Sequence, residues 1–200
     1  MSAATDGALA GFWQPIEAAA ESLAAASAQT LPAVLADLVD LLAGDLIPRL
    51  RAEETVLLPL VSAELEPGRS TGLNCDGVSR LTETISALAD RPTASDVGRI
   101  HRTASRLLGM LAEQRQAEAT LVVWIRALPT AARRAGSLTD RLEEEAQAAR
   151  ASQFFISEAD RLPTEAWVLR HNPKAARIRR LAPRRTSPVA DLVAVLKSGL

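Results

Sequence analysis

An all-α fold is predicted for this 200-residue chain on three grounds. Alanine supplies about a fifth of it, and leucine, arginine, glutamate and glutamine, all strong helix formers, are plentiful. Aromatic residues make up 3%, tyrosine is absent, and no stretch alternates apolar and polar residues as a half-buried strand would. Apolar side chains instead recur every three or four positions between proline and glycine punctuation.

Taken in order, the first helix is predicted from a cap at Asp6 to about Ala26, with Phe12, Ile16, Ala19, Ala20 and Leu23 on one face. The second starts at Thr30, a cap candidate, with Pro32 in the first turn, where a missing N–H costs nothing. Its apolar series (Leu35, Leu38, Val39, Leu42, Leu46, Leu50, Val56, Leu57, Leu60) runs to about Leu65. Pro48 interrupts it and predicts a kink or break near Gly44 and Asp45. After the loop Pro67–Gly72, a third helix is expected over about Asp76–Ala89, carrying Val78, Leu81, Ile85 and Leu88. Arg91 and Pro92 end it, and a fourth begins near Ser95 and Asp96 and reaches about Leu128, where Pro129 stops it. Four such segments with short connections predict an up-down four-helix bundle over residues 1–130.

Beyond 130 the composition changes. Ser137 caps a polar helix predicted to about Asp160, whose Glu143, Glu144 and Glu145 read as a solvated face. Three short pieces follow: Thr164–Arg170, Pro173–Leu181 capped by Asn172, and Pro188–Lys197 capped by Ser187. Residues 131–200 are therefore expected to form a helical extension, partly ordered at best. It is basic: nine lysines and arginines in 161–200 face only Glu165 and Asp191, a balance of +7 that leaves −8 on the other residues.

Composition also excludes several chemistries. The single cysteine, Cys75, permits no intrachain disulfide, and Asp76 beside it works against a reactive thiolate. The first eleven residues lack the basic and apolar regions of a signal peptide, and no apolar run approaches a membrane span, so a cytoplasmic protein is expected. There is no glycine-rich phosphate loop, nucleophile elbow or dinucleotide fingerprint, so the chain is not expected to be an enzyme.

One stretch goes beyond generic helix. Pro48-Arg49-Leu50-Arg51-Ala52-Glu53-Glu54-Thr55-Val56-Leu57-Leu58-Pro59 resembles the second-helix motif of hemerythrin-like (HHE) proteins, in which a histidine and a glutamate one turn apart face a pair of irons. Gln114-Arg115-Gln116-Ala117-Glu118 is similar to that family's fourth-helix pair, Cys75-Asp76-Gly77-Val78 to the opening of its third helix, and Trp13-Gln14-Pro15-Ile16 to its first. The resemblance spans about residues 8–130 and implies a bundle with inward-facing ligands. Here Glu53 and Glu118 are kept, but Trp13, Arg49, Gly77 and Gln114 stand where the resemblance places histidines.

That departure changes the expected chemistry. The chain has two histidines, His101 and His171, neither with another three or four positions away, so no paired-histidine metal site exists. His101 is expected on a helix surface. No cofactor and no metal are expected; a residual site would need Glu53, Glu118 and Asp76 to converge. A guanidinium at Arg49 is instead expected to pair with Glu53 or Glu118. The function implied is a non-catalytic interaction, scaffold or regulatory module. Its partner contact would be the basic segment: Arg170, Lys174, Arg177, Arg179, Arg180, Arg184 and Arg185. A protein surface, its own acidic body or another chain, is the first candidate partner, with nucleic acid or a membrane surface behind it. Two alternatives stay open: a degenerate metalloprotein binding or sensing iron, oxygen or nitric oxide through carboxylates, and a nucleic-acid-binding protein using the basic segment.

Overall fold

The computed structural model describes residues 3–27, 29–64, 74–89, 97–128, 131, 134, 136–151 and 187–199, and every regular element among them is a helix. In chain order these are α1 (Ala3–Ala24), α2 (Leu31–Leu41), α3 (Ile47–Ala52), α4 (Leu58–Glu64), α5 (Cys75–Ala89), α6 (Val97–Ala127), α7 (136–151) and α8 (Ala190–Gly199). The basic residues from Arg170 to Arg185, His171 and the loop Pro67–Gly72 lie outside the described residues.

Helices α2, α3 and α4 run on without a break; where a kink or break was expected, near Gly44 and Asp45, the helix widens into a π turn. They are joined by two wider π turns, Leu42–Leu46 and Glu53–Leu57. The reason is legible in the burial pattern. Leu38, Leu42, Leu46 and Leu50 are all fully buried at four-residue spacing, and so are Glu53 and Leu57. On a turn of 3.6 residues each such step overshoots by about 40°, so a strictly regular helix would carry the series out of the core. A π turn takes up that drift. Pro48 still has no N–H to offer the Gly44 carbonyl. Arg150 of α7 supplies it instead: its Nε donates to that oxygen at 2.7 Å while its Nη2 holds Asp45 at 2.7 Å. Pro15 in α1 faces solvent, where its missing bond costs less.

Of two predicted caps, one is corrected and the other holds in position only. Helix α1 begins at Ala3, ahead of Asp6. Thr30 precedes α2 but makes no side-chain cap bond; its Oγ1 accepts from the Ser27 N–H at 3.1 Å. The cap the sequence reading missed is Asn74, whose Oδ1 accepts from the Gly77 N–H at 2.8 Å at the start of α5.

Helix α1 packs against α2, α6 and α8, and α5 packs against α2, α3 and α6. The buried apolar side chains fall into two groups. One holds Trp13, Leu35, Leu50, Val78, Ile85, Ile100 and Leu111, and the other holds Leu9, Val56, Leu121, Leu142, Leu192 and Leu196, with their neighbours. Between these two levels lie the buried polar residues Arg49, Glu53, Gln114 and Glu118. The second group contains residues from α7 and α8, so apolar packing runs across position 130. Helix α8 was expected as a loosely ordered piece. Instead it buries Leu192, Val193, Val195 and Leu196, with Val189 just ahead of it, in the second apolar group, because removing that surface from water is favourable. Among the described residues no helix is long and apolar enough to cross a membrane.

Candidate functional site

The site is built on α3 and the π turn that follows it. Arg49 and Glu53 are four residues apart, hence on one face. The apolar residues flanking them turn that face into the interior, and both side chains are 0% exposed. The Arg49 Nε donates to Glu53 Oε1 at 3.2 Å and to Glu118 Oε1 of α6 at 2.9 Å, and Nη2 adds a second, short bond to the same Glu118 oxygen. Trp13 of α1 donates its indole N–H to the other Glu118 oxygen at 2.5 Å. The guanidinium also sits over the Phe12 ring, 4.0 Å from its centre.

The fourth wall comes from a part of the chain the sequence did not connect to this place. Nη1 of Arg49 donates to the Asp191 carboxylate of α8 at 2.6 Å and to the Pro188 carbonyl at 3.2 Å. Three carboxylates from three elements thus surround one cation, with an indole N–H and an aromatic face completing the shell.

Charge balance decides what the cluster does. Burial alone would depress the Arg49 pKa, but Glu118, Glu53 and Asp191 outweigh it and raise it, so the guanidinium stays charged. Burial pushes the Glu53 carboxyl well above the usual range, and the charge of Glu118 adds to that, against the opposing pull of Arg49. The Glu53 carboxyl thus holds a proton more readily than a free glutamate, and Arg49 also reaches the partly exposed Asp191. Glu53 Oε2 and Asp191 Oδ2 are buried and have no hydrogen-bond partner among the described residues.

The other two positions of the resemblance hold up the start of α5. Gln114, buried on α6 one turn before Glu118, accepts the Asn74 N–H at 2.8 Å. Glu54 accepts the Cys75 N–H at 3.0 Å. These are N–H groups that no helical carbonyl reaches. A β-carbon at Gly77 would stand 2.5 Å from the Asn74 side chain, so any larger residue there displaces the cap.

Asp76 does not join Glu53 and Glu118. Its side chain is 72% exposed and pairs with Arg51 at 2.9 Å, because the first turn of α5 points it outward. The third carboxylate is Asp191 instead. His101 is half-buried, its Nε2 within 2.9 Å of the Ala26 carbonyl, so it ties α6 to the end of α1 and is not a free surface side chain. Cys75 is buried, and burial with the nearby Glu54 pushes its thiol up to about 11, the opposite of an activated nucleophile.

The donor set does not suit the diiron pair that the resemblance would imply. Among the described residues no imidazole reaches the site, and a fixed cation bonds both carboxylates that remain. Among the described residues no three His, Cys, Asp or Glu side chains gather in a group able to hold a metal ion. Sequence reasoning missed Asp191, the Pro188 carbonyl, Phe12 and Asn74. Asp191 in the first turn of a predicted helix reads as an ordinary dipole-matching acid, and nothing local links it to Arg49, 142 positions away. No family model, curated protein or solved structure matches this chain.

Proposed function

We propose that this chain is a non-catalytic, hemerythrin-like up-down helical bundle in which an arginine–carboxylate cluster replaces the metal centre, and that it works as a protein-interaction, scaffold or regulatory module. One observation carries the reading. Arg49 occupies the middle of the site and takes up Glu118, Glu53 and Asp191, the groups that would otherwise be free to bind a cation. Such a cluster cross-links α1, α3, α6 and α8 as a dinuclear centre would cross-link its ligand helices, but it offers no open coordination position and no activated nucleophile. What remains for function is surface, and the largest charge contrast in the sequence is the basic run from Arg170 to Arg185 against an acidic remainder.

Two measurements test this. Full-length protein and a variant with Arg170, Lys174, Arg177, Arg179, Arg180, Arg184 and Arg185 changed to glutamine are compared in pull-downs from native lysate. The expected result is loss of salt-sensitive partners by the variant; identical partner sets would remove the basic segment from the function. Elemental analysis of protein made in iron-supplemented cells should give well under one iron per chain. A content near two that disappears with Glu118→Gln would establish the metalloprotein alternative instead.

A further inference from the structure

Helix α8 is joined to the body by contacts that recognise a particular helix. Arg49, itself fully buried, reads an acid in the first turn and the carbonyl of the proline before it. At the other end Arg126 of α6 donates to the Val195 carbonyl at 2.7 Å, an oxygen that also accepts the Ser198 hydroxyl at 3.0 Å. Between these two arginines Leu192, Val193, Val195 and Leu196 are buried in the same apolar group as Leu9, Val56 and Leu121. An acid, an apolar face and a matched length: this is the pattern by which an amphipathic helix is read in a groove.

The chain does not require that helix to be its own. Thirty-five residues, 152–186, separate α7 from Ser187. At full extension that many residues reach roughly 115 Å, several times the diameter of a domain of this size. An identical α8 from another molecule would make the same bonds, so exchange sacrifices no contact at the seat.

We propose that the α8 seat is an exchangeable helix receptor, and that the partner it fits is the α8 of a second copy of this chain, which would contribute its own Asp191 to Arg49 in a reciprocal dimer. Nothing in this depends on the basic segment or on the resemblance, so it stands or falls apart from the reading above.

The test uses a fluorescent peptide of residues 187–200 titrated against two full-length chains, wild type and Asp191→Asn. The resident helix competes at an effective concentration up to the millimolar range. The peptide should therefore bind the Asp191→Asn chain about tenfold more tightly than the wild type, whose seat is better held. A peptide carrying Asn at that position should bind both chains about tenfold more weakly than the native one. Sedimentation of wild-type protein should show dimer growing with concentration. Equal binding of the two peptides, or no binding of the native one, would overturn the receptor. A chain that stays monomeric up to about millimolar concentration would overturn the second copy as its occupant. Should Asp191→Asn fail to fold, the comparison of the two peptides on wild type decides alone.

Discussion

Arg49→Leu is the perturbation that the structure bears on most directly. The side chain is fully buried and, among the described residues, is the only cation bonded to Glu118, whose own side chain is 1% exposed. Its removal leaves Glu118 with the Trp13 indole as a donor, strips the Pro188 carbonyl of its Arg49 bond, and loses the contact with Phe12. Breaking a buried pair from one side costs about 3–5 kcal/mol, because the surviving charge stays buried without its partner. Glu53, whose carboxyl is shifted toward its protonated form, and Asp191, whose side chain is 24% exposed, add less. For a chain of this size each kcal/mol lowers Tm by about 2–4 °C, so a fall of roughly 6–20 °C is expected. Glu118→Leu alone should cost a similar amount by stranding Arg49. The double change Arg49→Leu with Glu118→Leu should cost far less than the sum, since neither charge of the pair is then left buried without the other. Urea unfolding of the four proteins, followed by far-ultraviolet circular dichroism, measures the coupling. Strictly additive losses would refute the argument, because they would mean that the guanidinium and Glu118 do not act as a pair.

The pH dependence follows from Glu53. Its carboxyl titrates above the ordinary 4.5 in the folded protein, so between that value and its raised folded pKa the native state holds a proton that the unfolded chain has released. Stability contributed by this group is complete below pH 4.5 and declines as pH rises through the folded value, with a limiting slope of about 1.4 kcal/mol per unit for one proton. Glu53→Gln should flatten that part of a stability–pH profile measured by urea unfolding; an unchanged slope would place the proton elsewhere. Arg150→Ala tests the rod through α2, α3 and α4. Losing the donor to Gly44 and the partner of Asp45 should cost about 1–3 kcal/mol, since Arg150 is only 23% exposed, and hydrogen exchange should quicken first around residues 42–48.

The periodic apolar residues were enough to place α1, α5 and α6 to within a few positions, because a helix closes its own hydrogen bonds and its buried face is written in local spacing. The same spacing, with Pro48 in it, announced an irregularity in the second rod. What the spacing did not show is the compensation there: Arg150, 106 positions from Gly44, donates to the carbonyl that Pro48 leaves without an N–H. The pairing of Arg49 with Glu53 was legible because the two share one helical face, and that with Glu118 rested on the resemblance of two helices. Helix α8 itself was legible, predicted as Pro188–Lys197, but its seat on the body and the meeting of Asp191 with Arg49 were not. A ten-residue helix with one acid in its first turn carries no mark of where it will dock, and a carboxylate gives no sign in sequence of the cation it will meet. Asp76 shows the converse: it was grouped with Glu53 and Glu118 as a possible third carboxylate, yet the first turn of α5 turned it outward to Arg51. Spacing along the chain determined the helices of this protein. Which charges close around Arg49 was decided by packing, since a buried cation is satisfied by whatever carboxylates the assembled helices bring within hydrogen-bonding distance, however far apart they lie in the chain.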